Sequence, residues 1–296
     1  MRGVDSLDLT GIDDVIFNVP SQLIGRSGSS SLITSLRMRL RRALFCALAA
    51  TSTSTTVSGP TAARMAARRE ISAVLWDLDG TLLDTETLSS EAIQAVLSDC
   101  GATLEWELKK TLMGLPGSVW PAMVVDAYAL QGRLSPADLL QRWETNMAGM
   151  SERIQKMDGA LEAVEHFHRL NVPMGIATSS SRLSVEKKAL QHGDIFGKMR
   201  VVVTGDDPTV RHGKPAPDIF IEAANRLGVA PAKCLIFEDS LSGVEAALRA
   251  GAFCVAVPDA RLDPGPFQNL FASHNGRGML SGSLKDVSWA DFHIDI

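Results

Sequence analysis

A chain of 296 residues has room for one large or two modest domains and for a sizeable buried core. With 45% hydrophobic and 21% charged residues the composition is that of a soluble globular protein, and a formal net charge of -5 argues against a broad basic surface for nucleic acid. The longest tidy apolar stretch, Ala43 to Ala50, falls far short of the roughly 18 to 20 residues that span a bilayer, so neither a transmembrane helix nor a membrane partner is expected. Cys46, Cys100, Cys234 and Cys254 form no CxxC pair and stand at no zinc-site spacing with His, which leaves them as reduced thiols.

The first 69 residues differ in composition from all that follow. Between Val15 and Arg69 there is no Asp, Glu or Lys, but there are eight Arg and a dense supply of Ser and Thr. An Arg-rich, Ser-rich, acid-poor segment reads as an organellar leader for mitochondrion or plastid, because it cannot bury a core but can be threaded unfolded through a translocon. Asp5, Asp8, Asp13 and Asp14 fit this poorly, and Met38 and Met65 offer later starts. The competing reading is a disordered extension, or an over-long gene model, of an otherwise cytoplasmic protein. Residues 1–69 are set aside from the fold in either case.

From residue 70 on, short apolar runs alternate with helical patterns. Strands are predicted at Ile71–Trp76, Val172–Ala177, Met199–Thr204, Cys234–Phe237 and Phe253–Val257, apolar on both faces as in a parallel sheet covered by helices. Helices are predicted at Gly159–Leu170, Arg182–His192, Pro217–Leu227 and Ser242–Ala250, which gives the β-α order of a doubly wound α/β domain. The interval between the first and second strands breaks this rhythm with four amphipathic segments: Glu91–Leu97, Leu104–Leu112, Val119–Ala129 and Pro136–Met147. The expected organisation is a Rossmann-like doubly wound core from 70–85 and 158–296, with an all-helical cap, 86–157, inserted after the first strand.

In open α/β sheets ligands bind outside the carboxyl ends of the strands. At those ends stand Asp77-Leu-Asp79-Gly-Thr81, Thr178-Ser179, Gly213-Lys214-Pro215 and Glu238-Asp239-Ser240. Carboxylates at i and i+2 leave a strand on the same side, so Asp77 and Asp79 are expected in one crevice with Glu238 and Asp239. Four carboxylates together repel one another unless a cation sits among them, and oxygen-only ligands suit Mg²⁺. The Thr178 hydroxyl, the backbone N–H of Ser179 and the Lys214 ammonium would bind a dianionic phosphate. This inventory points to phosphoryl transfer, with Asp77 as nucleophile and Asp79 as acid and base. Taken singly, each motif is also an ordinary turn or helix cap. Their shared placement at successive strand ends is what argues for chemistry.

The motifs WDLDGT, IATSS, HGKPAPDIF and IFEDS together resemble the haloacid dehalogenase-like hydrolase superfamily over about residues 71 to 258. Gly205-Asp-Asp-Pro208, His212 to Phe220 and Asp84-Thr-Glu86 look most like its pseudouridine-5'-phosphatase branch, while the KPAPDIF and EDS segments are also similar to beta-phosphoglucomutase. The resemblance implies that Asp77 is nucleophile, that Asp79 is acid/base and binds Mg²⁺ through its main-chain carbonyl, and that Thr178 and Lys214 bind phosphate. It also implies that Asp239, with Glu238, completes the metal site.

After the cap glycine, Gly114, this family often carries Lys, and here Leu115-Pro116 follows. Substrate identity therefore does not transfer from the resemblance. Lys109, Lys110, Arg133 and Arg142 read as solvated helix charges, and Trp106, Trp120 and Trp143 as packing. No role falls to His166, His168 or His192. The expected activity is Mg²⁺-dependent hydrolysis of a small phosphate ester (a sugar, nucleoside or polyol phosphate, such as pseudouridine 5'-phosphate) by a monomer or weak homodimer. A phosphomutase is the alternative. A receiver-like phospho-acceptor has no use for Asp79, and a dehalogenase has none for the acid cluster.

Overall fold

A computed structural model describes residues 70–294, so the leader reading for residues 1–69 lies outside the described residues. Six parallel strands form one sheet: β1 Ala73–Trp76, β2 Met174–Ala177, β3 Val201–Val203, β4 Cys234–Glu238, β5 Phe253–Ala256 and β6 Gly278–Leu280. Their order across the sheet is β3-β2-β1-β4-β5-β6. The direction of winding reverses between β1 and β4, and this switch point is where a doubly wound sheet opens a crevice for a ligand.

The four inner strands, β1, β2, β4 and β5, are buried along their whole length, as unbroken apolarity requires. Alternate residues of β1 face opposite layers. Val74 and Trp76 join a core with α5 (Ala160–Arg169) and α6 (Arg182–Gln191), while Ala73 and Leu75 join one with α7 (Asp218–Leu227), α8 (Leu241–Arg249) and α9 (Gly265–Ser273). The centre of the first layer is aromatic. Trp76 stacks on Phe237 with ring centroids 4.3 Å apart, and Phe167 of α5 meets Trp76 edge-on at 5.9 Å.

Four helices lie between β1 and β2: α1 Glu86–Ser98, α2 Trp106–Leu112, α3 Trp120–Ala127 and α4 Pro136–Gly149. They enclose an apolar cluster of their own around Val96, Leu97, Leu112, Val124 and Leu139. The segment is tied at its base, where Leu83–Asp84 pairs antiparallel with Gln155–Lys156. Trp120 and Trp143 pack edge-to-face inside it with centroids 5.5 Å apart, as expected of packing residues. The strand β6 and helix α9 had no counterpart in the sequence reading. Both are short, and Gly-Met-Leu in β6 is half-buried and lacks the β-branched run that marks the inner strands.

Phe167 touches Trp76, Phe237 and Trp289 but lies on α5, away from the strand ends. Phe167→Ala is expected to cost about 3–5 kcal/mol of stability, read as a lower urea midpoint at unchanged slope. A midpoint within error of wild type would contradict the packing described.

Candidate active site

The site grows out of the strand ends at the switch point. Trp76 pairs with Phe237 on the last rung between β1 and β4, and the Asp77 N–H still donates to the Phe237 carbonyl at 2.9 Å. Asp77 and Glu238 therefore emerge side by side from neighbouring strands. After Asp77 the chain turns sharply, with the N–H groups of Leu82 and Leu83 donating to the Leu78 carbonyl at 3.0 and 2.9 Å. The turn needs Gly80: its φ is +90°, and a Cβ there would collide with the Asp239 carboxylate. Gly243, on the first turn of α8, plays the same part for Glu238, whose carboxylate occupies the space that a Cβ would fill.

Asp77, Glu238 and Asp239 are buried and bring one oxygen each within 4.8 Å of one another. Lys214, from the loop after β3, crosses to them. Its Nζ donates to Asp77 Oδ1 at 2.5 Å, to Glu238 Oε1 at 2.8 Å and to the Ala177 carbonyl at the end of β2 at 3.1 Å. The other Glu238 oxygen accepts from the Ser240 N–H at 2.7 Å and from its hydroxyl at 3.0 Å.

Burial pushes the Asp77 carboxyl up to about 7 against the pull of Lys214, with Glu238 and Asp79 adding to the rise. Burial also lifts Asp239 well above the usual carboxylate range, helped by the charges of Glu238 and Asp77. For Lys214, burial acts to discharge the ammonium, but Asp77 and Glu238 hold its pKa above that of an ordinary lysine. Ionising all three carboxyls of the trio would therefore place three negative charges against the single Lys214 ammonium that bonds two of them. The trio's hard, oxygen-only donor set fits Mg²⁺.

Asp79 stands apart from this trio. The sequence reading expected four carboxylates to converge, but the Asp79 side chain turns to the β2 side of the crevice. There it accepts from Lys188 Nζ at 2.5 Å, Ser180 Oγ at 2.7 Å and Thr178 Oγ1 at 3.2 Å. Burial would raise its pKa, but the Lys188 charge and the hydrogen bonds from Lys188 and Ser180 bring it below the usual value. A carboxylate offered a buried ammonium has no reason to join three other anions. The side chain of Asp79 therefore does not belong to the metal-type cluster, and the main-chain role implied by the resemblance is a separate matter.

Thr178 is buried beside Asp79, and its hydroxyl also accepts from the Ser180 N–H at 3.0 Å. Ser179 is exposed at the mouth. Lys188 was missed from sequence. It sits on α6, one turn after the buried Val185, and its one signal is a lysine on the apolar face of a helix, which periodicity alone treats as noise.

The glycine at 243 yields a test, because it sets Glu238 without itself offering a ligand atom. Gly243→Ala should weaken Mg²⁺ binding by roughly 10- to 100-fold, as loss of supporting contacts around metal ligands does. Calorimetric titration checks it, and unchanged affinity would show that Glu238 is not held in place by this contact.

Residues 74–257 match the family described as haloacid dehalogenase-like hydrolase. The chain is similar to (DL)-glycerol-3-phosphatase 1, mitochondrial, of Arabidopsis thaliana, 37% identical over 201 residues that make up 67% of each chain. It is 40% identical over 197 residues to a Drosophila melanogaster protein named as a probable pseudouridine-5'-phosphatase, covering 66% of this chain and 84% of that one. Among solved structures it resembles a candidate beta-phosphoglucomutase from Thermotoga maritima, with 30% identity, a TM-score of 0.56, and coverage of 68% of this chain and 91% of that one. The match over the whole span that carries the strand-end carboxylates makes this chain a member of the haloacid dehalogenase-like hydrolase family.

Proposed function

We propose that the protein is a Mg²⁺-dependent phosphatase that releases inorganic phosphate from a small hydroxylated metabolite, with helices α1–α4 as a cap over the site. One observation carries this reading: the buried trio Asp77, Glu238 and Asp239 shares Lys214 at the switch point, with Asp79 and Thr178 on the facing wall, an arrangement that supports a cation site beside a phosphate site. The names of the Arabidopsis and Drosophila relatives support it. Organellar residence belongs to the same proposal and is supported by the leader composition and by the Arabidopsis name.

In this mechanism an Asp77 oxygen attacks phosphorus, the bond to the ester oxygen breaks, and an aspartyl-phosphate forms. Lys214 balances charge on the phosphoryl oxygens, and Thr178 with the Ser179 N–H donates to them. Asp79 protonates the departing alkoxide, then takes a proton from the water that hydrolyses the aspartyl-phosphate. Ser180 and Lys188 favour its ionised form, which is the form the second half requires. In the first half it must carry a proton, so it acts there after leaving those donors. Asp77, Glu238 and Asp239 would hold Mg²⁺, whose charge when bound opposes the negative charge that builds on the phosphoryl group.

Asp77→Asn keeps the shape and removes the nucleophile, so turnover should fall by roughly 10⁴-fold or more with an unchanged melting temperature. Retention of a tenth of the wild-type rate would rule out the covalent path. Asp79→Asn should lose about 10²- to 10⁴-fold on alkyl phosphates and far less on p-nitrophenyl phosphate, whose leaving group needs no proton. Equal losses on both would argue against the acid role.

The beta-phosphoglucomutase-like neighbour keeps a mutase as the second reading. Against it, the loop Met113-Gly-Leu-Pro-Gly-Ser118 brings no Lys or Arg to hold a second phosphate. Incubation with beta-glucose 1-phosphate and a trace of the 1,6-bisphosphate should yield free phosphate and no glucose 6-phosphate. Isomerisation faster than phosphate release would establish the mutase.

A further inference from the structure

One charge in the helical insert departs from the solvated pattern read from sequence. Lys110 is exposed, and Arg142 pairs with Asp99 on a partly exposed surface, but Lys109 is only 6% exposed. Its Nζ donates to Glu86 Oε2 at 2.6 Å. Glu86 is the first residue of α1, two residues beyond the strand pair that ties the insert to the core.

Contacts on either side fix where this pair points. One turn before Lys109, the ring of Trp106 lies under the Arg261 guanidinium, 4.0 Å from its centroid, and Arg261 is itself held by Asp259 in the loop after β5. Five residues after Lys109, the Gly114 carbonyl accepts from Ser242 Oγ at 3.2 Å, and a Cβ at Gly114 would stand 2.9 Å from Ser240 Cβ. Helix α2 and the turn after it are thus seated on the loop after β5 and on the start of α8, with Lys109 between the two points of contact. Electrostatics agree. Asp239, raised mainly by burial, also feels the Glu86 charge, and Asp259, lowered mainly by its bond from Arg261, also feels Lys109.

We propose that Lys109 and Glu86 together read the leaving group of the substrate, accepting a neutral polyhydroxyl group and rejecting an anionic one. This deepens the phosphatase reading and rests on it. An ammonium has three donors, one of which is spent on Glu86, while the carboxylate keeps free acceptor positions. Adjacent hydroxyls, each both donor and acceptor, satisfy such a pair. A carboxylate or second phosphate on the leaving group meets a cation that is already neutralised and an anion that repels it. Partial burial sharpens the choice, since a polar group left unmatched there is costly.

The test compares kcat and KM for wild type, Lys109→Met, Lys109→Arg and Glu86→Gln on glycerol 3-phosphate, 2-phosphoglycolate and p-nitrophenyl phosphate with Mg²⁺. Wild type should favour glycerol 3-phosphate over 2-phosphoglycolate by about tenfold or more in kcat/KM, the worth of one hydrogen bond to a charged group. Lys109→Met should lose roughly tenfold or more on glycerol 3-phosphate, chiefly in KM, and only a few-fold on p-nitrophenyl phosphate, which has no hydroxyl to read. Lys109→Arg should recover part of that loss. Glu86→Gln, which leaves the ammonium uncompensated, should raise 2-phosphoglycolate relative to glycerol 3-phosphate. Equal losses on all three esters, or a wild type without preference, would overturn the inference while leaving the phosphatase intact. If Lys109→Met does not fold, the substrate ratio in Glu86→Gln decides alone. No phosphate release by wild type from any of the three would instead overturn the phosphatase reading beneath it.

Discussion

Three carboxylates buried within one ligand sphere repel one another, and burial removes the water that would screen them. Much else in the molecule follows from holding Asp77, Glu238 and Asp239 there. The inner strands must be apolar throughout so that the sheet, and not the acids, supplies the stability. The glycines at 80 and 243 let a carboxylate fill the space a Cβ would take. Lys214 reaches from the loop after β3 to share its ammonium between Asp77 and Glu238. Burial, with the neighbouring carboxylates adding to it, raises the pKa of Asp77 and Asp239 despite the Lys214 ammonium. A divalent cation and a phosphate dianion, bound together, suit such a place better than either alone.

The two buried lysines of the core divide the four acids into groups. Lys214 belongs to the trio, whereas Lys188 draws Asp79 to the opposite wall with Ser180 and Thr178. Two aspartates separated by a single residue thus come to differ in the direction of their pKa shifts, one raised and one lowered. Environments that push neighbouring titratable groups apart allow them different tasks. In the mechanism proposed above, Asp77 is the nucleophile and Asp79 the proton carrier, and the lowered pKa of Asp79 suits the half of the reaction in which it takes a proton from water.

The cap-side pair Lys109–Glu86 follows the same logic at the other boundary of the crevice. Its charges lie on two helices of the insert, α1 and α2, and α2 with the turn after it touches the core through Trp106–Arg261 and Gly114–Ser242. Under the two proposals above, the core elements hold the phosphoryl group and the insert meets what is attached to it.

Much of this was legible from residues alone. Inner strands buried on both faces must be continuously apolar, so their positions and the interruption by four amphipathic helices could be read from periodicity. Residues at the ends of such strands lie at the carboxyl edge by geometry, so Asp77, Thr178, Glu238 and Asp239 declared their neighbourhood from sequence, and Lys214 followed as the basic residue of the loop beyond β3. Periodicity could not reveal Lys188 or Lys109. Each is a charged residue on a helix, and pattern alone assigns such residues to solvent. Whether a lysine on a helix meets water or a carboxylate depends on a partner far away in sequence, Asp79 for one and Glu86 for the other. The sequence by itself determined the order of the inner strands and the helices between them, and which acids and bases stand at the strand ends, because those depend on local periodicity and strand-end geometry. Only the tertiary structure decided which acid pairs with which lysine, because long-range packing selects the partners of a buried charge.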